Sequence, residues 1–248
     1  MKREEAVLRE LNLYPLWKRR GGAGTPADAP LQPAAQEPVV SPQPVEVASA
    51  PAAPDTAGER KEIISKLPWP ELKALVRDCT ACKLRAGCKQ TVFGVGDEKA
   101  DWLFVGEGPG ADEDAKGEPF VGQAGKLLDN MLLSIKLKRG NNVYIANIVK
   151  CRPPNNRTPE GDEIATCLPY LHRQIALIQP KIIIALGKTA ATSLLERDAT
   201  LGSLRGKVHE FHGTPLIITY HPAYLLRTPQ DKAKAWDDLR LAVKTAES

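Results

Sequence analysis

Four short runs constrain this chain more than anything else in it: residues 102–106 (WLFVG), 143–148 (VYIANI), 181–186 (KIIIAL) and 216–220 (LIITY). They are rich in β-branched and aromatic residues and mostly too apolar to keep one face in water. Strands of that kind belong to a parallel sheet covered by helices on both sides. Between them the apolar period changes to that of a helix. Leu127, Leu128, Met131, Leu132 and Ile135 share one face; Ile164, Cys167, Leu168, Leu171, Ile175 and Ile178 share another. Residues 187–195 and 231–243, the latter with Trp236, Leu239 and Val243, complete the set. The expected fold is α/β, a three-layer α/β/α sandwich around a central, mainly parallel four-stranded sheet.

The first 58 residues do not share this pattern. Residues 1–20 carry six Lys/Arg and three Glu, and Val7, Leu8, Leu11, Tyr14 and Trp17 recur near helical spacing, which predicts a short amphipathic helix. Residues 21–58 contain eight Pro, ten Ala and four acids but no Lys or Arg. Such a stretch cannot bury enough apolar surface to offset the entropy of ordering, so a disordered linker is expected there. A globular domain is expected over 59–248. The arm is expected to dock on a protein partner through residues 1–20. The charged N-terminus lacks the apolar core of a secretory signal, and no apolar run reaches the roughly 20 residues of a spanning helix. The reading is a cytoplasmic chain with no membrane attachment.

In a parallel sheet, ligands bind beyond the carboxyl ends of the strands. The first run leads into GEGPGADEDAKGEPFVGQAG (106–125), with Glu107 at the tip and closely spaced glycines that let backbone amides approach a ligand. The segment does not fit G-x-G-x-x-G, and no GK[ST] closes it, so dinucleotide and P-loop readings are poor. The second run ends at Asn147 and continues into the basic, Pro-stiffened KCRPPNNR (150–157); the fourth ends at His221 within YHPAYLLR (220–227). A carboxylate, an amide and an imidazole at successive strand ends favour a functional site over three separate structural roles.

Five cysteines in a cytoplasmic chain point to metal binding or chemistry rather than disulfides. Cys79 and Cys82 form a CxxC, whereas Cys151 and Cys167 come from distant segments. This spacing matches neither a zinc ribbon nor a thioredoxin motif, and four soft thiolates suit zinc or an iron–sulfur cluster. No role is expected for Cys88.

GEGPGADEDAKGEPFVGQAG, VKCRPPNNR, the LRG at 204–206 and HPAYLLR resemble, in order and spacing, the signature segments of the family-4, iron–sulfur uracil-DNA glycosylases. The resemblance spans about residues 67–239; Gly108 departs from it, standing where the family more often has alanine. It implies removal of uracil from DNA and a structural [4Fe–4S] cluster on Cys79, Cys82, Cys151 and Cys167. It also implies a set of roles. Phe120 stacks on the flipped base, Asn147 reads uracil O4 and N3–H, and Glu113 forms the wall that excludes the thymine methyl. His221 and the amides around Gly108 stabilise charge on O2, while Glu107 holds the water or the sugar cation, with Asn155 as an alternative holder. Lys150, Arg152, Arg157, Arg205 and Arg227 are candidate phosphate contacts. Leu225 or Leu226 is a candidate wedge for the gap left by the base. The expected partner is uracil-containing DNA, single- or double-stranded, met by a monomer. Two other readings compete: a weakly catalytic or product-trapping uracil-DNA binder, and a non-catalytic iron–sulfur module of replication machinery. The intact Glu107, Asn147 and His221 argue against the second.

Overall fold

The computed structural model describes residues 57–247. The expected N-terminal helix and most of the expected linker lie outside the described residues. Two helices, α1 (Ala57–Lys66) and α2 (Trp69–Arg77), and a single turn, α3 (Leu84–Gly87), precede the sheet. Pro68 and Pro70 bracket the start of α2: proline has no amide hydrogen to lose in a first turn.

The sheet has six strands in the order β1-β3-β2-β4-β6-β5, not four. The expected four are all present as β2 (Trp102–Gly106), β3 (Val143–Asn147), β4 (Ile182–Leu186) and β6 (Thr214–Thr219), paired in parallel. The two additional strands are antiparallel edges, β1 (Val95–Gly96) and β5 (Val208–Phe211). They escaped the sequence reading because edge strands need not be apolar on both faces. β1 has only two residues, and Val208 is 52% exposed. A local signal for β5 does exist. His212 and Gly213 both take positive φ, 48° and 86°, as a two-residue hairpin turn requires.

Side chains on β2, β3, β4 and β6 alternate between two cores. Leu103, Val105, Ala146, Ile183 and Ile218 face a cluster with Leu72 and Val76 of α2 and with Leu171 and Ile175 of α6 (Gly161–Ile178). That cluster also takes in Ala190 and Leu194 of α7 (Lys188–Leu195). Phe104, Val143, Ile145, Ile184 and Ile217 face the other cluster. There they meet Leu128 and Leu132 of α5 (Gln123–Ser134), Leu225 of α9 (Pro222–Arg227) and Leu239 of α10 (Lys232–Ala246). Two short helices, α4 (Ala111–Lys116) and α8 (Leu201–Leu204), lie in the connections after β2 and α7. Both sheet faces are thus covered, as the apolar runs required. Among the described residues no helix is long and apolar enough to cross a membrane.

Candidate active site and cysteine cavity

The carboxyl ends of β2, β3, β4 and β6 open on a cleft of about 880 Å³. Its walls include Glu107, Glu113, Phe120, Asn147, Thr189 and His221. The parallel pairing continues past the strands: Ile148 N donates to Gly106 O at 2.9 Å and Val149 N to Glu107 O at 3.1 Å. This extension sets Glu107 beside the segment that follows Asn147.

Asn147 is 2% exposed, and its Oδ1 has no hydrogen-bond partner among the described residues. A buried acceptor left unpaired costs about 1–3 kcal/mol, so this oxygen is built for a donor from outside the chain. Gly106 makes room for it. A Cβ there would stand 2.4 Å from Asn147 Oδ1 and 2.6 Å from the Phe120 ring.

Phe120 is buried and takes φ 55°, a strained value for a bulky residue. Its backbone is held by Arg139, whose guanidinium donates to Pro119 O at 2.9 Å and to Phe120 O at 2.7 Å. Gly125 lets α5 pass beneath, since a Cβ there would fall 1.8 Å from Phe120 O. The Phe120 and His221 rings lie 5.5 Å apart between centroids. Glu113 clasps the same loop, its carboxylate accepting from the amides of Gly110 (3.1 Å), Val121 (2.9 Å) and Gly122 (3.1 Å). Glu113 therefore reaches the cleft with both oxygens already engaged by backbone. Gly108 lines the cleft beside it, and a Cβ there would approach Val149 Cγ2 to 2.7 Å.

His221 caps α9: its Nδ1 accepts from Ala223 N at 3.2 Å. A nitrogen that accepts carries no proton, so the neutral ring must hold its hydrogen on Nε2. Burial, then the Arg227 charge, push the imidazole down to about 4, against a smaller upward pull from Glu113. His221 is therefore a neutral donor at physiological pH.

Two residues that hold this site were missed in the sequence. One is Arg139. The other is Thr189, on the first turn of α7, whose hydroxyl donates to Glu107 Oε2 at 2.5 Å. Neither belongs to a recognisable motif, and their partners lie 20 and 82 residues away along the chain.

Five expected contacts change meaning. Lys150 is 1% exposed and donates to Asn147 O (3.0 Å) and Gln174 Oε1 (2.6 Å), so it cannot meet a phosphate. Burial holds its ammonium down at about 8. Arg205 is drawn inward by the nearly buried Asp238, 2.8 Å from Nε to Oδ2, and lies over the Tyr220 ring. Arg157 lines the cleft, but its fork is spent on the wholly buried carboxylate of Glu163, at 2.8 and 2.7 Å. Asn155 is exposed and does not line the cleft; its neighbour Asn156 does, because the 3-10 turn at Pro154–Asn156 points successive side chains in different directions. Leu225 is 1% exposed in the core, whereas Leu226 is 44% exposed. Arg227 is exposed at the cleft wall, and Arg152 is half-buried with its Nε on Asn156 Oδ1.

Cys79, Cys82, Cys151 and Cys167 line a second, much smaller cavity of about 10 Å³, together with Arg60, Lys150 and Tyr170. Cys79 and Cys82 precede α3, Cys151 follows β3, and Cys167 is on α6. Burial pushes the thiols of Cys82 and Cys151 up and that of Cys167 up to about 11. Four thiols gathered around one cavity, three of them where a free thiolate is costly, fit a cationic metal group that would stabilise them. Among the described residues no three His, Cys, Asp or Glu stand at the spacing of a single bound ion. The ligands of a polynuclear cluster attach to separate irons and stand further apart. Cys88 is buried next to Cys151 but is not one of the lining residues.

The profile of a family described as the uracil DNA glycosylase superfamily matches residues 93–240. A type-4 uracil-DNA glycosylase of Pyrobaculum aerophilum is 44% identical over 179 residues, covering 69% of this chain and 91% of the relative. One from Thermotoga maritima is 43% identical over 161 residues, 64% of this chain and 83% of the relative. A DNA polymerase of Bacillus phage SP01 is 34% identical over 137 residues, 55% of this chain but 15% of the polymerase.

Proposed function

The chain belongs to the uracil DNA glycosylase superfamily, and from that membership we propose that its cleft takes a uracil flipped out of DNA and hydrolyses the N-glycosidic bond. The product is an abasic site, the entry point of base excision repair. The observation that carries the assignment is the unpaired Oδ1 of Asn147. Uracil N3–H is a donor, whereas cytosine N3 presents a lone pair that would oppose this oxygen. A site that leaves a buried acceptor unpaired for the wrong base rejects it strongly.

The geometry supports the remaining roles. The base must leave the helix to reach a cleft lined by Phe120 and Asn147, and Phe120 offers it a stacking face beside His221. As the bond breaks, negative charge develops on uracil O2, and the Nε2–H of a neutral His221 donates to it. An oxyanion donor of this kind is worth roughly 10²–10³ in rate. Glu107, held by Thr189, keeps one carboxylate oxygen for the attacking water or for the sugar cation. Glu113 clasps the loop that carries Phe120 and forms the wall against a C5 methyl. Arg152 and Arg227 meet the phosphates. A [4Fe–4S] cluster on Cys79, Cys82, Cys151 and Cys167 is structural: it joins the segment before α3, the loop after β3, and α6.

Single-turnover release of uracil from single- and double-stranded oligonucleotides tests the reading, with Asn147→Ala and His221→Ala as comparisons. Release by the wild-type protein, slowed roughly 10²-fold or more by His221→Ala, is the expected result. Tight binding of uracil-DNA without release would establish the non-catalytic alternative instead. Anaerobically purified protein should contain iron and absorb near 400 nm (roughly, as such clusters do). Cys79→Ala should lose both properties and Cys88→Ala neither; a colourless, zinc-loaded, active protein would overturn the cluster.

A further inference from the structure

Lys150 is a lysine wholly inside the protein, and both acceptors of its ammonium are neutral: the carbonyl of Asn147 and the amide oxygen of Gln174. Gln174 is itself 0% exposed and is fixed in turn, its Nε2 donating to Phe93 O at 3.0 Å. A buried charge costs several kcal/mol unless an opposite charge lies near. Among the described residues no carboxylate is one of its hydrogen-bond partners. The ammonium does, however, belong to a residue that lines the cysteine cavity, and the Lys150 amide donates to Cys167 Sγ at 3.2 Å. Four thiolates outweigh the charge of a [4Fe–4S] core, so a loaded cavity is net anionic. On the same cavity wall, the Arg60 guanidinium lies 4.0 Å from Cys79 Sγ and is anchored on Thr166 O at 2.6 Å.

We propose that Lys150 is the interior counter-cation of the cysteine site and that the same ammonium positions Asn147, so that one buried charge links the cluster cavity to the reading of the base. The proposal rests on the cluster reading above. Lys150 touches neither base nor sugar and acts as a positioning residue, through the carbonyl of Asn147. It explains why a lysine, with a point charge and three donors, stands here. One donor reaches the strand end and one reaches Gln174, on a residue that also lines the cavity.

The test uses the full chain purified without oxygen. Iron content of the wild-type protein decides the cluster reading by itself: an iron-free, active enzyme would remove both that reading and this proposal. In iron-bearing protein, Lys150→Met should shift the cluster's reduction potential downward, because a nearby positive charge that favours the added electron has gone. Lys150→Arg should restore most of the shift. Single-turnover excision by Lys150→Met should fall roughly 10-fold or more at saturating enzyme, with little change in affinity for undamaged DNA. Should Lys150→Met fail to fold, Gln174→Glu keeps the ammonium and sets a carboxylate against it, and should lower the potential in the same direction. Iron-loaded variants whose potential and excision rate both match wild type would overturn the proposal.

Discussion

The hydroxyl of Thr189 donates to Glu107 Oε2 at 2.5 Å, joining the first turn of α7 to the tip of β2 across 82 residues of chain. A carboxylate at a strand tip is otherwise free to rotate into solvent. The bond holds the carboxylate through Oε2 on a residue that lines the cleft. Thr189→Val keeps the shape and removes the donor. It is expected to lower the single-turnover rate about 10-fold with substrate affinity nearly unchanged, and Thr189→Ser should recover most of the loss. Equal rates for Val and wild type would show that Glu107 needs no such support.

Gly106 is the one position on β2 where a methyl group would enter the base site. Its Cβ would meet the movable ends of Asn147 and Phe120 at 2.4 and 2.6 Å rather than backbone. The strand can survive that by displacing the two side chains to which the proposed function assigns uracil recognition. Gly106→Ala is therefore expected to cost about 1–3 kcal/mol of stability, as overpacking does, while excision falls by about 10²-fold. Urea unfolding and single-turnover kinetics on the same preparation separate the two effects. A stable variant with wild-type excision would contradict the placement of Asn147.

The His221 imidazole, held at about 4 by burial and Arg227, makes stability depend on pH. Unfolded histidine titrates near 6.5, so between about 6.5 and 4 the unfolded chain binds a proton that the folded chain refuses. Stability falls as pH drops through that window and levels off below it. Between pH 7.5 and 5 the contribution is about 2 kcal/mol. His221→Asn keeps a capping side chain and should lose this slope. His172 is also held low by burial, so the difference between the two proteins isolates His221. Excision should meanwhile show no loss of rate on passing through pH 6.5, because the donor is already neutral.

The basic residues divide into two classes that binding experiments can tell apart. Arg205→Ala strands Asp238, whose carboxylate is 1% exposed, and should cost about 3–5 kcal/mol in unfolding experiments. Its effect on the salt dependence of DNA binding should be negligible. Arg227→Ala should do the reverse, leaving stability nearly intact and reducing the slope of log K against log salt by about one. The opposite assignment would mean that the Arg205–Asp238 pair opens to DNA.

Adjacent leucines on α9 make the same kind of contrast. Leu225→Ala should cost about 2–5 kcal/mol from the core. Leu226→Ala should leave stability within about 0.5 kcal/mol and slow excision from duplex more than from single strands, since only a duplex must be held open. Equal rates on both substrates would remove Leu226 as the wedge.

The chain's own pattern determined the parallel core, because strands buried on both faces cannot hide their apolarity and the helices between them cannot hide their period. It also determined which polar residues end those strands. Glu107, Asn147 and His221 line one cleft because parallel strands deliver their carboxyl ends to one edge of the sheet. Cys151 and Cys167 come to one cavity because the loop after β3 leads into α6, whereas Cys79 and Cys82 reach it from the segment before α3 only in the folded chain. The direction of each long side chain could not be read from sequence. Lys150, Arg157, Arg205 and Leu225 sit in motifs that carry surface-like charges or repeated leucines, and their fate depends on partners 24, 6 and 33 residues away or on a helix face set by a neighbouring layer. A buried carboxylate or amide draws a flexible cation inward only once folding has brought it within reach. The edge strand β1, the Arg139 anchor and the Thr189 bond were decided in the same way, by tertiary contacts that exist only after the central strands have paired, whereas β5 folds back on β6 through a local two-residue turn.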